Sequence, residues 1–322
     1  MPISLSMADS INKITNFDKL RPQPCPVRLI RIGGNHDGAY LIPDDLEGIQ
    51  ACFSPGVNNF KFFEDELVYR FGIKCHMCDY SSDPEKFSTP LIENLQSFEK
   101  KWLEPDSNID SVTLEDWVER RVGKSADNLL LQMDIEGAEY RNLMGAESDL
   151  LNKFRIIVLE LHMPAASLAS NVDVEDVRQV IDKLYDTHIC VHARANNCCG
   201  HTLHTASGMN IPNVMELTYL RRDRFARGTQ ARIPPQIPHP LDIPFNLHNI
   251  RPLHLNQAWL SRGERSLEST LKVIEDCFSH DLVSALGWRI GTHHMRRGLI
   301  TCMNKDVCIP YLVDTTVNIN NT

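Results

Sequence analysis

The sequence predicts an open, mostly parallel α/β sheet, and three observations carry that prediction. Short hydrophobic runs alternate with helical patterns from Gln50 to Leu220. Asn128 to Ile135 (NLLLQMDI) is a nearly unbroken apolar run, the pattern of a central parallel strand buried on both faces. Between Gln50 and Asp79 a strand, a glycine-containing turn, a helix, a second strand and an acidic residue follow one another.

Each element has its own local reason. Gln50 to Phe53 is a first short strand, and Ser54-Pro55-Gly56-Val57-Asn58-Asn59 is turn chemistry. Phe63, Leu67 and Phe71 recur at four-residue spacing, which predicts a helix that Gly72 ends. Lys74 to Cys78 reads as a second strand running into Asp79, and the series up to this point resembles a nucleotide-binding half of a Rossmann-like fold. Thr89-Pro90 predicts a helix reaching Trp102, with Pro at the first helical position, where its missing N–H costs little. No third strand is legible before Asp110. Thr113 to Asp116 has capping-box spacing and opens a helix with Leu114, Trp117 and Val118 on one face, closing near Gly123. After the run at Asn128 to Ile135, Phe154 to Leu161 (FRIIVLEL) is a second central strand. Val174, Val177, Val180, Ile181 and Leu184 follow helical spacing, and His188 to His192 and Val214 to Leu220 are two further strands, expected to pair antiparallel at an edge.

Beyond Arg221 the texture changes. Ile233 to Pro240 (IPPQIPHP), Pro244 and Pro252 exclude a helix interior or a central strand, so this stretch is a wrapping arm or linker. A helix is expected around Leu267, Leu271, Ile274 and Phe278. The organisation expected is therefore one α/β domain over residues 1–230, then a Pro-rich arm and C-terminal helical extension over 231–322.

Composition excludes several classes of function. The chain has 322 residues and a formal charge of −9, without a run of five like charges, which disfavours a nucleic-acid partner. Apolar residues at 42% and charged residues at 23% are those of a folded protein. No apolar stretch reaches the length that spans a membrane, and Met1 to Leu20 has no apolar core of a secretory signal. The ten Cys are accordingly expected to be reduced, in a cytoplasmic setting.

In an open parallel sheet, ligands bind at the carboxyl ends of the strands. Polar residues at that rim are Ser54 to Asn59, Asp79, Asp134 with Glu136, Glu160 with His162, and His192 with Asn196 and Asn197. Gly56 lets backbone N–H groups approach a ligand, but a single Gly does not make the dinucleotide fingerprint G-x-G-x-x-G, which weakens a dehydrogenase reading. An acid at the end of a second strand, here Asp79, suits ribose hydroxyls without any pyrophosphate, a description that S-adenosylmethionine meets.

Leu131 to Tyr140 (LQMDIEGAEY), followed by Val158-Leu159-Glu160-Leu161-His162, resembles the D-x-E-G-x-E and E-x-H elements of FkbM-type S-adenosylmethionine-dependent methyltransferases. Arg31 to Tyr40 (RIGGNHDGAY), Phe63 to Leu67 (FEDEL), His192 to Asn197 (HARANN) and Met215 to Tyr219 (MELTY) resemble a methyltransferase-like subgroup of them. The loop SPGVNN departs from the two-glycine turn more often found there, although Asn58 can adopt left-handed geometry.

The resemblance implies a class I methyltransferase, Rossmann-like fold: a mostly parallel seven-stranded sheet with an antiparallel edge strand. It implies S-adenosylmethionine as cofactor and a hydroxyl of a small molecule or sugar as acceptor. Gly56 and Asp79 are assigned to the cofactor on this basis. Asp37 and Gly38 either close the cofactor pocket or form a plain D-G turn, and Asp110 with Ser111 falls either at the adenine or in an ordinary N-terminal turn. The catalytic candidates are Asp134, His162 and His192. Two chemistries stay open: Asp134, Glu160 and His162 as ligands of Mg²⁺ or Mn²⁺ holding a substrate hydroxylate, or His162 or His192 as general base with Asp134 orienting it or contacting the cofactor's amino group.

Other readings compete. His192, Cys198, Cys199, His201 and His204 offer zinc ligands at unusual spacing, while Cys75 and Cys78 would face opposite sides of a strand. The extension either covers the substrate pocket or forms a homodimer contact. A methyltransferase-like binding or scaffold protein that has lost catalysis is the alternative from another class.

Overall fold

The computed structural model describes residues 10–164, 166, 172–226, 231–243, 246–247 and 250–260, and the backbone of 300–304 and 307–311. A short antiparallel hairpin of β1 (Leu29–Ile32) and β2 (Tyr40–Pro43) comes first. β3 (Ala51–Pro55), β4 (Lys74–Cys78) and β5 (Gln96–Glu99) then run outward side by side in parallel. The small parallel pair β6 (Trp102–Leu103) and β7 (Ser111–Val112) leads back to β8 (Leu129–Met133), which lies on the other side of β3. β9 (Phe154–His162) pairs parallel with β8. β10 (His188–Ala195) is followed by the small ladder of β11 (His201–Leu203) with β12 (Asn210–Pro212), and by β13 (Val214–Arg221). The seven-stranded order is β10-β13-β9-β8-β3-β4-β5. The expected edge pair forms, and its antiparallel member, β13, sits one place in from the edge, antiparallel to both β9 and β10.

Both faces of this sheet are covered, which explains the unbroken apolar runs. Leu129, Leu131 and Met133 of β8 and Phe154, Ile157, Leu159 and Leu161 of β9 belong to one core, under α2 (Leu114–Val122), α3 (Glu139–Gly145), α4 (Ser148–Leu151) and α5 (Val174–Thr187). Leu130, Ile156 and Val158 point to the other core, with α1 (Phe62–Phe71) and the β1–β2 hairpin. Cys75 lies in the second core and Cys78 in the first, opposite faces as strand alternation requires. Local stops behave as their chemistry dictates: Gly72 is left-handed at φ 67° after α1, and the Thr113 side chain accepts from the Asp116 amide to cap α2. α5 carries a full capping box between Asp173 and Asp176.

One expectation fails. Residues 89–102 form no helix; the third strand of the sheet, Gln96–Glu99, lies inside that span. The residues that would have built the helix are spent elsewhere. Thr89 Oγ1 donates to Asp65 at 2.6 Å, and Gln96 donates to Asp65 at 2.9 Å. Gln96 also accepts from the buried Lys61 Nζ at 2.9 Å and from the Ile92 amide at 3.0 Å, and Asn94 is left-handed at φ 61°. A buried Lys61–Asp65 ion pair on the first turn of α1 thus organises the segment, a tertiary demand that outweighs helix propensity.

The Pro-rich stretch is an arm, as expected. Ile233 and Cys25 exchange backbone hydrogen bonds of 2.8 and 2.9 Å, and Ile237, Ile243, Leu255 and Trp259 are buried. Trp259 Nε1 donates to the Asn210 carbonyl at 2.7 Å, tying the arm to β12. The chain divides into two units, Met1–Cys277 and Phe278–Thr322; in the second, β14 (Ile300–Asn304) and β15 (Val307–Tyr311) form an antiparallel hairpin. The helix expected around Leu267 to Phe278 lies outside the described residues. No helix among the described residues is long and apolar enough to cross a membrane.

Candidate active site

The chain order reverses between β3 and β8, so their carboxyl ends flank the crevice where ligands of such sheets bind. Gly56, just past β3, has φ +88°, and a Cβ there would lie 1.6 Å from the Asp134 carbonyl oxygen just past β8. The two loops approach so closely that only glycine fits. Asn58 and Asn59 follow at φ 45° and 60°, the left-handed geometry that Asn tolerates. Asp79, buried at the end of β4, holds this loop: it accepts from the Asn58 amide at 2.9 Å, the Ser81 amide at 2.8 Å, and the Ser81 and Ser82 hydroxyls at 2.6 Å each. Burial alone would raise its pKa, but these hydrogen bonds outweigh it and hold the carboxyl below its ordinary value.

The turn after β8 is built from Asp134 to Glu139. Glu136 is left-handed at φ 58° and Gly137 has φ 99°. The Glu139 carboxylate, fully buried, accepts from the Ile135 amide at 2.8 Å and the Gly137 amide at 3.0 Å. His162, at the end of β9, lies between two acids, with Nε2 3.1 Å from Glu136 and Nδ1 3.3 Å from Glu139. Burial works to lower its pKa, yet the bonds to Glu136 and Glu139 overcome it and raise the imidazole to about 11. The two carboxylates against its ring therefore favour the protonated imidazole.

β9 stays extended to His162, so Glu160 and His162 share a face, as their spacing predicts. Among the described residues, two groups bring ligand-type atoms within 4.8 Å of one another: Asp134, Glu160 and His162, and Asp37, Glu160 and Glu216. Glu160 is common to both. Its partner across the ladder is Glu216 on β13, and Glu216 in turn faces Arg194 on β10 at 2.5 Å. Asn196 donates to Glu160 at 3.0 Å; Asn246, from the arm, donates to Asp37 at 2.6 Å and to Glu216 at 2.9 Å. One Asp134 oxygen, Oδ1, is buried without a hydrogen-bond partner. Burial raises the Asp134 carboxyl well above its ordinary pKa, against the pull of His162 and helped by Glu136, Glu139 and Asp37. Glu160 is raised too, by burial first and then by Asp134, Glu216 and Asp37. Two such acids titrate as a pair that holds a proton to unusually high pH.

Not every candidate joins this group. Asp37 belongs to it, although Gly38 beside it, at φ +80°, forms the D-G turn, with the Ala39 amide donating to the His36 carbonyl. His192 does not: its Nε2 lies 3.0 Å from Asp242 of the arm, and its ring meets His239 edge-on at 5.8 Å. Asp110 is exposed in the turn linking β6 and β7, its amide bonded to Asn108. The zinc set disperses: His204 packs edge-on against Phe17 and bonds Ser207, Cys199 is exposed, and among the described residues none of the five is in a cluster of three ligands. Glu139 and Glu216 escape the sequence reading although each lies in a quoted motif, and Glu136 stands at the rim there without a role; Asn246 has no signal, because the arm shows only proline spacing.

This sheet order, with the first strand central, the last antiparallel beside the fifth and a carboxylate-rich rim at the switch point, defines a Rossmann-like methyltransferase fold. Residues 50–188, from the strand β3 to the start of β10, match the family model of the methyltransferase FkbM domain. No curated protein matches the chain significantly.

Proposed function

We propose that this protein transfers a methyl group from S-adenosylmethionine to a hydroxyl of a small molecule or sugar. The observation that carries the reading is Asp134: a carboxylate at the switch point, one oxygen without a partner, against the Gly56 turn. Gly56 and Asp79 suit an adenosyl ligand if a ribose diol replaces the Ser81 and Ser82 hydroxyls that now fill the Asp79 acceptor positions. When bound, S-adenosylmethionine supplies an electrophilic methyl group on a sulfonium. The chain's own residues then align and deprotonate the acceptor. The ionised member of the Asp134–Glu160 pair takes the hydroxyl proton, and its raised pKa makes it a stronger base than an ordinary carboxylate. The His162 imidazolium, clamped by Glu136 and Glu139, fixes the turn that aims Asp134.

A second reading rests on the 4.8 Å proximity of Asp134, Glu160 and His162, which would suit Mg²⁺ or Mn²⁺ if the metal displaced the His162 proton. Calorimetric titration of metal-stripped protein with S-adenosylhomocysteine, with and without Mg²⁺ or Mn²⁺ and with NAD⁺ as control, tests both. Binding on the order of micromolar without metal supports the first reading. Binding or turnover only with metal supports the second, and no binding under any condition favours the non-catalytic scaffold.

A further inference from the structure

At the edge of the sheet opposite Asp134, the start of β10 lies beside the end of β13, with His188 paired to Arg221. A cavity of about 340 Å³ opens there, large enough for a small ligand. Two aromatic rings and three cations line it: Tyr185 from the last turn of α5, Phe225 and Arg222 after β13, Lys19 near the N-terminus and Arg232 from the arm. The Arg222 guanidinium carbon sits 4.5 Å from the Tyr185 ring centre, and Lys19 Nζ is 4.9 Å from the same ring. The Arg232 guanidinium carbon is 5.4 Å from the Phe225 ring centre.

The charges on these walls are unequal in what neutralises them. Lys19 pairs with Asp182 at 2.8 Å, and Asp18, the one acid among the described residues that line the cavity, pairs with Arg21 at 2.8 Å. Asp223, next in sequence to Arg222, is 2.8 Å from Arg221. Arg222 donates through Nε and Nη2 to the Tyr185 carbonyl, and Arg232 through Nη2 to the Phe225 carbonyl. Those backbone acceptors orient the two guanidiniums without cancelling their charge. Among the described residues neither has a carboxylate within ion-pair distance, in a chain of net charge −9. Among the described residues no acceptor is paired with Arg222 Nη1 or with Arg232 Nε and Nη1, which leaves them to a ligand.

We infer that this cavity binds a small organic anion, whose phosphate or carboxylate head lies between Arg222 and Arg232 and whose flat apolar body packs on Tyr185 and Phe225. Guanidinium forks match oxyanions of this kind, and a stacked ring shields the contact from water. The site is separate from the methyl-transfer rim, and its test does not depend on cofactor binding.

Calorimetric titration of the full chain at pH 7.5 with phenyl phosphate, benzoate, inorganic phosphate and phenol tests it. Phenyl phosphate or benzoate should bind with a Kd below about 1 mM, and whichever binds more tightly identifies the head group. Inorganic phosphate and phenol should each bind at least about tenfold more weakly, since each lacks half of the recognised structure. Arg222→Gln and Arg232→Gln should each weaken binding by about tenfold, and Arg222→Lys should weaken it less. Thermal unfolding of each variant within a few degrees of wild type establishes that it is folded; if Arg222→Gln unfolds, Arg232→Gln, on the exposed arm, carries the test. The inference is overturned if neither organic anion binds at 5 mM, if inorganic phosphate binds as well as phenyl phosphate, or if a folded Arg→Gln variant binds as well as wild type.

Discussion

A Cβ on Gly56 would overlap the Asp134 carbonyl oxygen at 1.6 Å, and φ +88° would strain any other residue there as well. Gly56→Ala should therefore destabilise the protein by roughly 3 kcal/mol or more and abolish S-adenosylhomocysteine binding, read by chemical denaturation and calorimetry. Asp134→Asn keeps the shape and removes the base; turnover should fall by about a hundredfold or more while S-adenosylhomocysteine still binds, and unchanged methylation would refute this placement. His162 gives a pH signature. Its folded pKa of about 11 lies above the ordinary 6.5, so its contribution to stability is fully present below pH 6.5 and is lost as pH rises through about 11. Urea unfolding of wild type and His162→Gln should differ most at pH 6 and converge towards pH 11. Asp134, Glu160 and His162 were legible as candidates because a strand end and a two-residue spacing place them. The charge of His162 was not, because it depends on Glu136 and Glu139 folding back around it.

Among the elements, the strands were the most legible and the stretch between β4 and β7 the least. Lys74 to Cys78 matches its strand from end to end, since five alternating residues carry the whole signal. Residues 89–102 carry helix-start chemistry but answer to Asp65 and Lys61, which lie more than twenty residues away in sequence. Lys61 is fully buried, so Lys61→Met should leave Asp65 as an uncompensated charge and cost roughly 3–5 kcal/mol, with β5 losing amide protection in hydrogen exchange first. Stability unchanged within experimental error would show that the pair does not hold this segment.

At the scale of the whole molecule, the arm closes over one side of the rim through Asn246, on Asp37 and Glu216, and through Asp242, on His192. Burial would raise the Asp242 carboxyl, but His192, the His239 amide and Arg194 outweigh it and hold it below its ordinary value. Its contribution to stability is thus present above the ordinary carboxylate range and lost as pH falls through its lowered pKa. Asp242→Asn should release the arm at neutral pH, seen as faster proteolysis around residues 231–243, while the sheet stays folded. Local pattern was enough for six of the sheet's seven strands, the two-faced core, the breaks at Gly56, Gly72 and the prolines, and which acids stand at strand ends, because each follows from spacing and backbone chemistry within a few residues. Only the tertiary structure decided that Glu160 and Glu216 share one pocket, that Arg194 and Asn246 neutralise and cap it, and that His192 serves the arm. Those facts depend on which strands become neighbours and on how far burial strips water from charge, and neither is written in the local pattern.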